Sequence, residues 1–161
     1  MTPDNLKSIL KYEPDTGDIY LIKTNRKFFP DDNNSVVVYF KGKSHRIKYS
    51  KLAYMLSTGQ VLNENERIIH RNLDVNDYRA CNLLSTDKET YYSITEAQRN
   101  LQGGIRIVPH EQDQFVYVVH WEDKRAQKRK VCHDLASARK FEMRLKLKYS
   151  KIITRYCNLD I

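Results

Sequence analysis

The chain has 161 residues, of which 40% are apolar and 30% charged, a composition that fits one or two small folded domains. Its three cysteines are far apart and form no Cys-x-x-Cys pair, which excludes a zinc ribbon and a disulfide framework and predicts reduced thiols. No run approaches about 18 apolar residues and the first residues hold no apolar signal core, so we expect a soluble, cytoplasmic protein without a membrane partner.

The first part of the chain predicts two short helices and several strands joined by tight turns. The expected elements are a helix over residues 4–11, a turn at 13–18, strands at 19–22, 35–40 and 44–49, and a helix over 51–58. Pro14 and Gly17 favour the turn, because proline fixes φ and glycine tolerates a positive φ. Ser50 is the expected N-cap of the second helix, and Gly59 is expected to end it.

The middle of the chain predicts a strand, a polar loop and a third helix. A short apolar strand at 68–69 leads into His70, and the loop continues to Asn82. Thr86 and Glu89 have the spacing of a capping box, which predicts a helix from about 87 to 98. The sequence Gln102-Gly103-Gly104 breaks this helix, so we expect two domains, 1–100 and 104–161.

The last part predicts three antiparallel strands and one helix. The expected strands are 105–108, 115–121 and 128–132, joined by turns at 109–114 and 122–127. Asp134 is the expected N-cap of a helix over 135–149 with an apolar stripe and a basic opposite side. Strand alternation places Tyr117 and Trp121 on one face and Val116 and Val118 on the other, and periodicity leaves open which face packs on the helix.

The positive charge is concentrated near the end of the chain. The formal net charge is +8 and the sequence pI about 9.3. Residues 121–161 hold 12 Lys or Arg against 5 Asp or Glu, which is +7, so the remaining 16 basic and 15 acidic residues leave +1 for the first 120. This asymmetry predicts a polyanionic partner such as nucleic acid, although a solvated helix face is the simpler alternative.

Residues 69–83 read IHRNLDVNDYRACNL. This stretch resembles the core of the phage-type HNH homing endonucleases, which typically reads Asp-His-Ile-Asn-Gly-Asp, two variable residues, Asp-Asn-Arg, two more, and Asn-Leu. Ile69 stands where that family has Asp, and Tyr78 where it has Asn. The matching residues are His70, Asn72, Asp74, Asp77, Arg79, Asn82 and Leu83. YEPDTGDI at 12–19 and SKLAY at 50–54 also resemble phrases of the family, the latter with Ser50-Lys51 in place of His-Arg.

The resemblance implies an α+β fold that begins with a ββα-metal domain. In that family a histidine takes a proton from water, and a divalent cation, held by the adjacent Asp and by a residue of the following helix, polarises the phosphate. Here Ile69 offers no ligand, and the helix position falls at Thr90 or Tyr91, which are poor ligands. We therefore expect no resident cofactor, and we interpret His70 as a relict general base that now holds the loop or contacts a phosphate and does not act as a catalyst. Mg²⁺ or Mn²⁺ is expected only if Asp74 or Asp77 reaches towards His70.

Other residues of the motif have a simpler structural interpretation. Asp77 and Arg79 are expected to form an ion pair that fixes the loop, because buried charges tend to be paired. Asn82 is expected to hydrogen-bond the backbone of the same loop.

Residues 104–149 resemble the Apetala-type DNA-binding domain, in which a three-stranded antiparallel sheet packs on one helix and lies in the major groove. The resemblance implies double-stranded DNA as a partner, contacted by Arg, Lys and aromatic side chains of the strands. The candidate contact residues are Arg106, Tyr117, Trp121, Lys124, Arg125, Lys128, Arg129 and Lys130. The two aromatic residues fit core packing equally well.

Three functions follow from these patterns. The leading hypothesis is a DNA-binding protein, phage-derived and acting in the cytoplasm of a bacterial host, on an HNH scaffold without efficient nuclease activity. The second is an active, metal-dependent HNH nicking or homing endonuclease with altered ligands. The third is a phage protein that binds and modulates a host enzyme, anchored by the aromatic residues Phe28, Phe29, Tyr91 and Tyr92, for which core packing is the simpler alternative.

Overall fold

Four helices and ten strands occur within residues 2–110 and 114–157, the part of the chain that the computed structural model describes. The strands form four small antiparallel sheets, which confirms the expected α+β class. The helices are α1 (Pro3–Lys7), α2 (Tyr49–Thr58), α3 (Lys88–Gln102) and α4 (Leu135–Cys157). No helix among these described residues is both long enough and apolar enough to cross a membrane.

The strands pair mainly with their neighbours in the sequence. They are β1 (Leu10–Glu13), β2 (Asp18–Leu21), β3 (Arg26–Lys27), β4 (Ser35–Phe40), β5 (Lys43–Lys48), β6 (Glu66–His70), β7 (Leu83–Asp87), β8 (Ile105–His110), β9 (Gln114–Asp123) and β10 (Ala126–Cys132). The sheets have the orders β1-β2-β3, β4-β5, β6-β7 and β10-β9-β8.

The chain divides into two units, residues 1–88 and 89–161. The division falls after Lys88, the first residue of α3, whereas the sequence suggested a boundary at 102–104. The two expected domains stay a prediction, since a division by compactness does not test which parts fold alone.

The core of the first unit gathers around the buried face of α2. Leu52 and Ala53 are fully buried there, together with Leu6 of α1 and Ile19 of β2. Tyr49 begins the helix, and its buried hydroxyl accepts a hydrogen bond from the backbone N–H of Ile19 at 3.0 Å. Burial raises the pKa of Tyr49 to about 12, so the phenol stays neutral and α2 is tied to β2.

Several local predictions for the first unit are confirmed and others are wrong. The β4–β5 hairpin has the expected strands, and α2 ends at Gly59, which has a φ of 73°. The helix expected over 4–11 ends at Lys7, because Leu10 pairs with Leu21 in β1. Ser50 lies inside α2, so it is not the N-cap; the residue at that position is Lys48.

Strand β7 was missed, and it changes how α3 begins. Thr86, expected to cap the helix, lies in β7 opposite Arg67, and α3 starts only at Lys88. The helix then runs to Gln102, four residues beyond the expected end. Pairing with β6 supplies backbone hydrogen bonds to residues 83–87, and this tertiary pairing outweighs the local helix signal.

The second unit contains a three-stranded sheet with one helix packed on it, as expected. Asp134 caps α4, because its carboxylate accepts a hydrogen bond from the N–H of Ser137 at 2.7 Å, and such backbone bonds lower the pKa of Asp134. The helix continues eight residues beyond the expected end at 149. The expected turn at 109–114 falls partly on residues 111–113, outside the described residues, and β8 includes 109 and 110.

Gly17 is predicted to be irreplaceable in the first unit. Its φ is +80°, and an added Cβ would lie 2.6 Å from the carbonyl carbon of Tyr78 and 2.8 Å from the amide nitrogen of Arg79. Gly17→Ala should lower the free energy of unfolding by roughly 2 kcal/mol or more, because backbone strain and a backbone clash add. Urea denaturation measures this cost.

Gly42→Ala is the matched control for this prediction. Gly42 has a φ of +75°, close to that of Gly17, but an added Cβ would meet nothing within 4 Å. This variant should therefore show only the cost of the positive φ, about 1 kcal/mol. Equal losses in the two variants would contradict the close approach of the 13–18 turn to Tyr78.

Candidate functional site

His70 is the last residue of β6, and the loop of residues 71–82 connects β6 to β7. Its Cα is paired with that of Leu83, and the preceding pair is Ile69 with Leu84. Ile69 is buried, so the position next to the histidine contributes to the apolar interior. The hairpin fixes the backbone of His70, but the residues next to it on the two strands, Ile69 and Leu83, carry no carboxylate.

The Asp77 carboxylate is the centre of the loop. It accepts hydrogen bonds from Nε and Nη2 of Arg79, at 2.8 and 2.5 Å, and from the side-chain amide of Asn72 at 2.7 Å. The hydrogen bonds and charge of Arg79 lower the pKa of Asp77 to about 2. The expected structural pairing of Asp77 with Arg79 is present, and it occupies both carboxylate oxygens.

Asn82 closes the same loop from the other end. Its side-chain oxygen accepts from the N–H of Asn72 at 2.9 Å, and its amide donates to the carbonyl of Asp77 at 2.8 Å. The side chain is buried, so both polar atoms need such partners. Asp74 accepts from the N–H of Asn76 at 2.9 Å. Asn82 thus bonds the loop backbone as expected.

Tyr78 lies in the interior beside His70. Its ring centroid is 4.4 Å from that of Tyr49 and 5.8 Å from that of His70, the latter in an edge-on arrangement. Only 8% of its surface is exposed. Its carbonyl accepts a hydrogen bond from the hydroxyl of Tyr12 at 2.7 Å, so the backbone at this position is held to β1.

Two polar atoms of this aromatic cluster are buried without a partner. Within the part of the chain that the structure describes, neither Nε2 of His70 nor the hydroxyl of Tyr78 forms a hydrogen bond. Burial lowers the pKa of His70, and the nearby charges of Asp77 and Asp74 oppose this only in part. The imidazole is therefore neutral at pH 7, which a general base requires.

The residues around His70 do not fit the divalent cation that the resemblance implies. A hard cation needs several oxygen ligands, and Ile69 and the neutral, buried Tyr78 provide none of the required charge. Asp77 is committed to Arg79, so it is not available to replace a ligand. Among the described residues, no group of three or more His, Cys, Asp or Glu side chains could hold a metal ion. Thr90 and Tyr91 lie in the first turn of α3.

The second unit has a different kind of surface on its sheet. Val119 and Cys132 pack against Ala138 of α4, which identifies the face that the helix covers. The opposite face, which we call the outer face, consists of the residues that alternate with these in the strands: Arg106, Val108, Val116, Val118, His120, Glu122, Gln127, Arg129 and Val131. Val116, Val118 and Glu122 are buried on this face, and Glu122 forms an ion pair with Arg99 of α3, whereas Arg106 and Arg129 are exposed. Arg106 is paired with Val118 and Arg129 with His120, so one arginine lies on each side of the middle strand.

The aromatic candidates lie on the helix-covered face. Tyr117 packs against the cluster of Val119 and Ala138, and the ring of Trp121 is 5.2 Å from that of Phe141 of α4. Alternation along β9 turns both towards the helix, which fits the core packing that the sequence left open, and their contact with DNA stays a prediction.

The basic candidate residues differ in whether their side chains already interact with other residues of the protein. Lys128 pairs with Asp123 at 2.7 Å, and the ammonium of Lys130 lies 4.3 Å from the centroid of Phe141. Arg125 stacks on Tyr92 at 3.8 Å. The exposed residues Arg106, Lys124 and Arg129 have no ion pair within residues 2–110 and 114–157.

The sequence reasoning missed the roles of several residues. Gln127 and His120 belong to the outer face, and alternation along the strands would have indicated them once the packed face was known. The burial of Tyr78 against Tyr49 had no local signal, since the two are separated by 29 residues. Phe28, expected as a surface anchor or as core, packs against the first core, whereas Phe29 is exposed.

No protein-family model matches this sequence, and comparisons with curated proteins and with solved structures also found no match.

Replacement of Asp77 should change how stability depends on pH. Folding lowers the pKa of Asp77 from 3.8 to about 2. The contribution of Asp77 to the free energy of unfolding is therefore complete above pH 3.8 and is lost as the pH falls through about 2. Asp77→Asn should cost about 1–2 kcal/mol at neutral pH, and this difference from wild type should shrink between about pH 4 and pH 2. Urea denaturation over this range measures it, and a difference that does not change with pH would contradict the assignment.

Two replacements of Tyr78 separate its ring from its hydroxyl. Tyr78→Phe should leave stability unchanged or raise it, because it removes a buried hydroxyl without a partner. Tyr78→Asn, which introduces the residue of the HNH pattern, should cost roughly 2–4 kcal/mol through loss of the buried ring. A loss above about 1 kcal/mol in Tyr78→Phe would mean that the hydroxyl has a partner after all, and urea denaturation decides this.

Proposed function

We propose that this protein binds double-stranded DNA through the outer face of the β8–β10 sheet, on an HNH-like scaffold that no longer cuts efficiently. The observation that carries the proposal is the placement of Arg106 and Arg129. Both are exposed, both lie on the face opposite α4, and they flank the middle strand. Two arginine side chains that point away from a rigid sheet are well placed to contact base edges in a DNA groove.

The size and chemistry of this face suit the major groove. The groove is about 12 Å wide and admits a β-ribbon, and arginine binds the O6 and N7 atoms of guanine with two hydrogen bonds. Lys124, exposed in the β9–β10 turn, is suited to a phosphate contact, which positions the protein without reading sequence. The +7 charge of residues 121–161 adds a long-range attraction to any polyanion.

The loss of cutting follows from the donor set around His70. The buried Ile69, the aromatic packing of Tyr78 and the pairing of Asp77 with Arg79 leave too few oxygen ligands for a cation. The neutral imidazole and unpartnered Nε2 of His70 are the one observation in favour of the second candidate function, a nicking endonuclease with altered ligands.

Arg106→Ala and Arg129→Ala are the variants that test DNA binding. Each should weaken binding to a preferred duplex by about 1–3 kcal/mol, because each removes a contact from the outer face. Affinity of the wild type should fall steeply with added salt, as counterion release requires. Fluorescence anisotropy with labelled duplexes, repeated over a range of salt concentrations, measures both effects.

The control for this experiment is Arg139→Ala, which removes an equal charge from the exposed surface of α4. If Arg139→Ala weakens DNA binding as much as Arg106→Ala does, only the total charge matters. DNA binding that is absent, or that does not depend on salt, would refute the proposal. Incubation of the protein with supercoiled plasmid and Mg²⁺ or Mn²⁺ completes the test. Nicking that disappears in His70→Ala would establish the endonuclease instead.

A further inference from the structure

The β4–β5 hairpin of the first unit carries an exposed aromatic residue on its solvent side. Along β4, Val36 and Val38 are buried in the core, whereas the alternating residues Val37 and Tyr39 are turned outwards. Tyr39 is 76% exposed, more than any other large apolar or aromatic side chain recorded as exposed. A tyrosine ring exposed on a paired strand contributes nothing to the core and offers a flat aromatic surface to a partner.

The neighbours of Tyr39 leave its ring uncovered. Its cross-strand partner is Ser44, whose side chain is too small to shield an aromatic ring. Val37, the preceding residue on the same face, is paired with Arg46. Antiparallel pairing holds the ring on a fixed backbone, so little conformational entropy is lost when a planar group stacks on it.

The charge of the hairpin is uniformly positive. Residues 35–48 contain Lys41, Lys43, Arg46 and Lys48 and no Asp or Glu. Asp31 from outside the hairpin pairs with Arg46, and the ammonium of Lys48 donates to the carbonyl of Asn33. Lys41 and Lys43 form no ion pair within residues 2–110 and 114–157.

The turn of the hairpin places these two lysines close to the tyrosine along the chain. Lys41 and Gly42 both have a positive φ, 49° and 75°, which makes a tight two-residue connection between Phe40 and Lys43. Tyr39 is therefore followed, after Phe40, by the tip with these two lysines, and the ammonium of Lys41 lies 5.4 Å from the centroid of the Phe40 ring. An uncovered tyrosine ring and two exposed lysines within five residues form a small, preorganised surface.

We infer that the β4–β5 hairpin binds single-stranded nucleic acid, with an unpaired base stacked on Tyr39 and adjacent phosphates contacted by Lys41 and Lys43. Stacking on an aromatic side chain combined with cationic contacts to the backbone is the general chemistry of single-strand recognition. A duplex suits this surface poorly, because the faces of its bases are already covered by their neighbours. The Ser44 gap beside the ring leaves room for a planar base.

An apolar peptide is a weaker fit to the same surface. Such a partner would need a contiguous apolar patch, whereas Val37 and Tyr39 are the exposed apolar residues of β4 and the cations surround them. The excess of positive charge over the hairpin instead matches a phosphate backbone. This inference is independent of the proposed duplex binding, because it concerns the first unit and the arginines of the outer face belong to the second.

Three replacements of Tyr39 in the full chain test the inference. The probe is a fluorescently labelled oligothymidylate of roughly 10 nucleotides, which does not pair with itself, and the readout is anisotropy. Tyr39→Ala should weaken binding about 5- to 100-fold, and Tyr39→Phe, which keeps a ring, should bind like the wild type. Tyr39→Leu should be as weak as Tyr39→Ala, because it keeps apolar area but cannot stack.

The lysines are tested through the salt dependence of the same binding. Lys41→Gln combined with Lys43→Gln should reduce the slope of log affinity against log salt by about 1.4, which is two single-strand phosphate contacts. Lys23→Gln combined with Lys51→Gln, which removes the same charge elsewhere in the first unit, should leave the slope nearly unchanged. Far-UV circular dichroism should be unaltered in all variants, since these side chains are exposed or half-buried.

Several outcomes would overturn the inference. Wild-type affinity in Tyr39→Ala would exclude stacking, and wild-type affinity in Tyr39→Leu would assign the surface to an apolar peptide contact. Arg106→Ala serves as the cross-control: it should weaken duplex binding and leave oligothymidylate binding intact. If duplex binding is absent while oligothymidylate binding depends on Tyr39, the proposed function fails and the hairpin inference stands.

Discussion

The hydrogen-bonded ion pair of Asp77 with Arg79 is the interaction on which the loop after His70 depends. Apart from Tyr78, residues 71–82 bury little apolar surface, so their order must come mainly from polar groups that satisfy one another. Asp77 accepts from Arg79 and Asn72, and Asn82 joins both ends of the loop. A carboxylate that already accepts these hydrogen bonds is poorly placed to bind a cation as well.

The aromatic residue next to this pair connects the loop to the rest of the first unit. Tyr78 packs on Tyr49, which itself holds β2 through the N–H of Ile19. The turn containing Gly17 approaches the Tyr78–Arg79 peptide so closely that a methyl group would not fit. The 13–18 turn, the loop and α2 are therefore one packed assembly, although they are distant in sequence. The segments 12–19 and 69–83 are in direct contact, which supplies a physical reason for both to occur in one chain.

The sequence predicted local elements well wherever side-chain period and turn chemistry agreed. The β4–β5 hairpin, α2 with its Gly59 end, and the three strands before α4 followed from alternation, glycine and apolar spacing. Strand β7 and the short end of α1 were missed because pairing with the neighbouring strands β6 and β2 decides them. The pairing of Asp77 with Arg79 was expected from charge, whereas the burial of Tyr78 and the packed face of β9 depend on contacts that no local pattern encodes.

The residues that match the HNH pattern are mostly those that build the loop. Asn72, Asp74, Asp77, Arg79 and Asn82 all have hydrogen bonds within residues 70–82, so their presence is explained by the shape of the loop alone. The two departures, Ile69 and Tyr78, are both buried in the apolar interior. The motif match therefore carries no weight for catalysis, which leaves the exposed cations of the outer face and of the β4–β5 hairpin as the better guides to function.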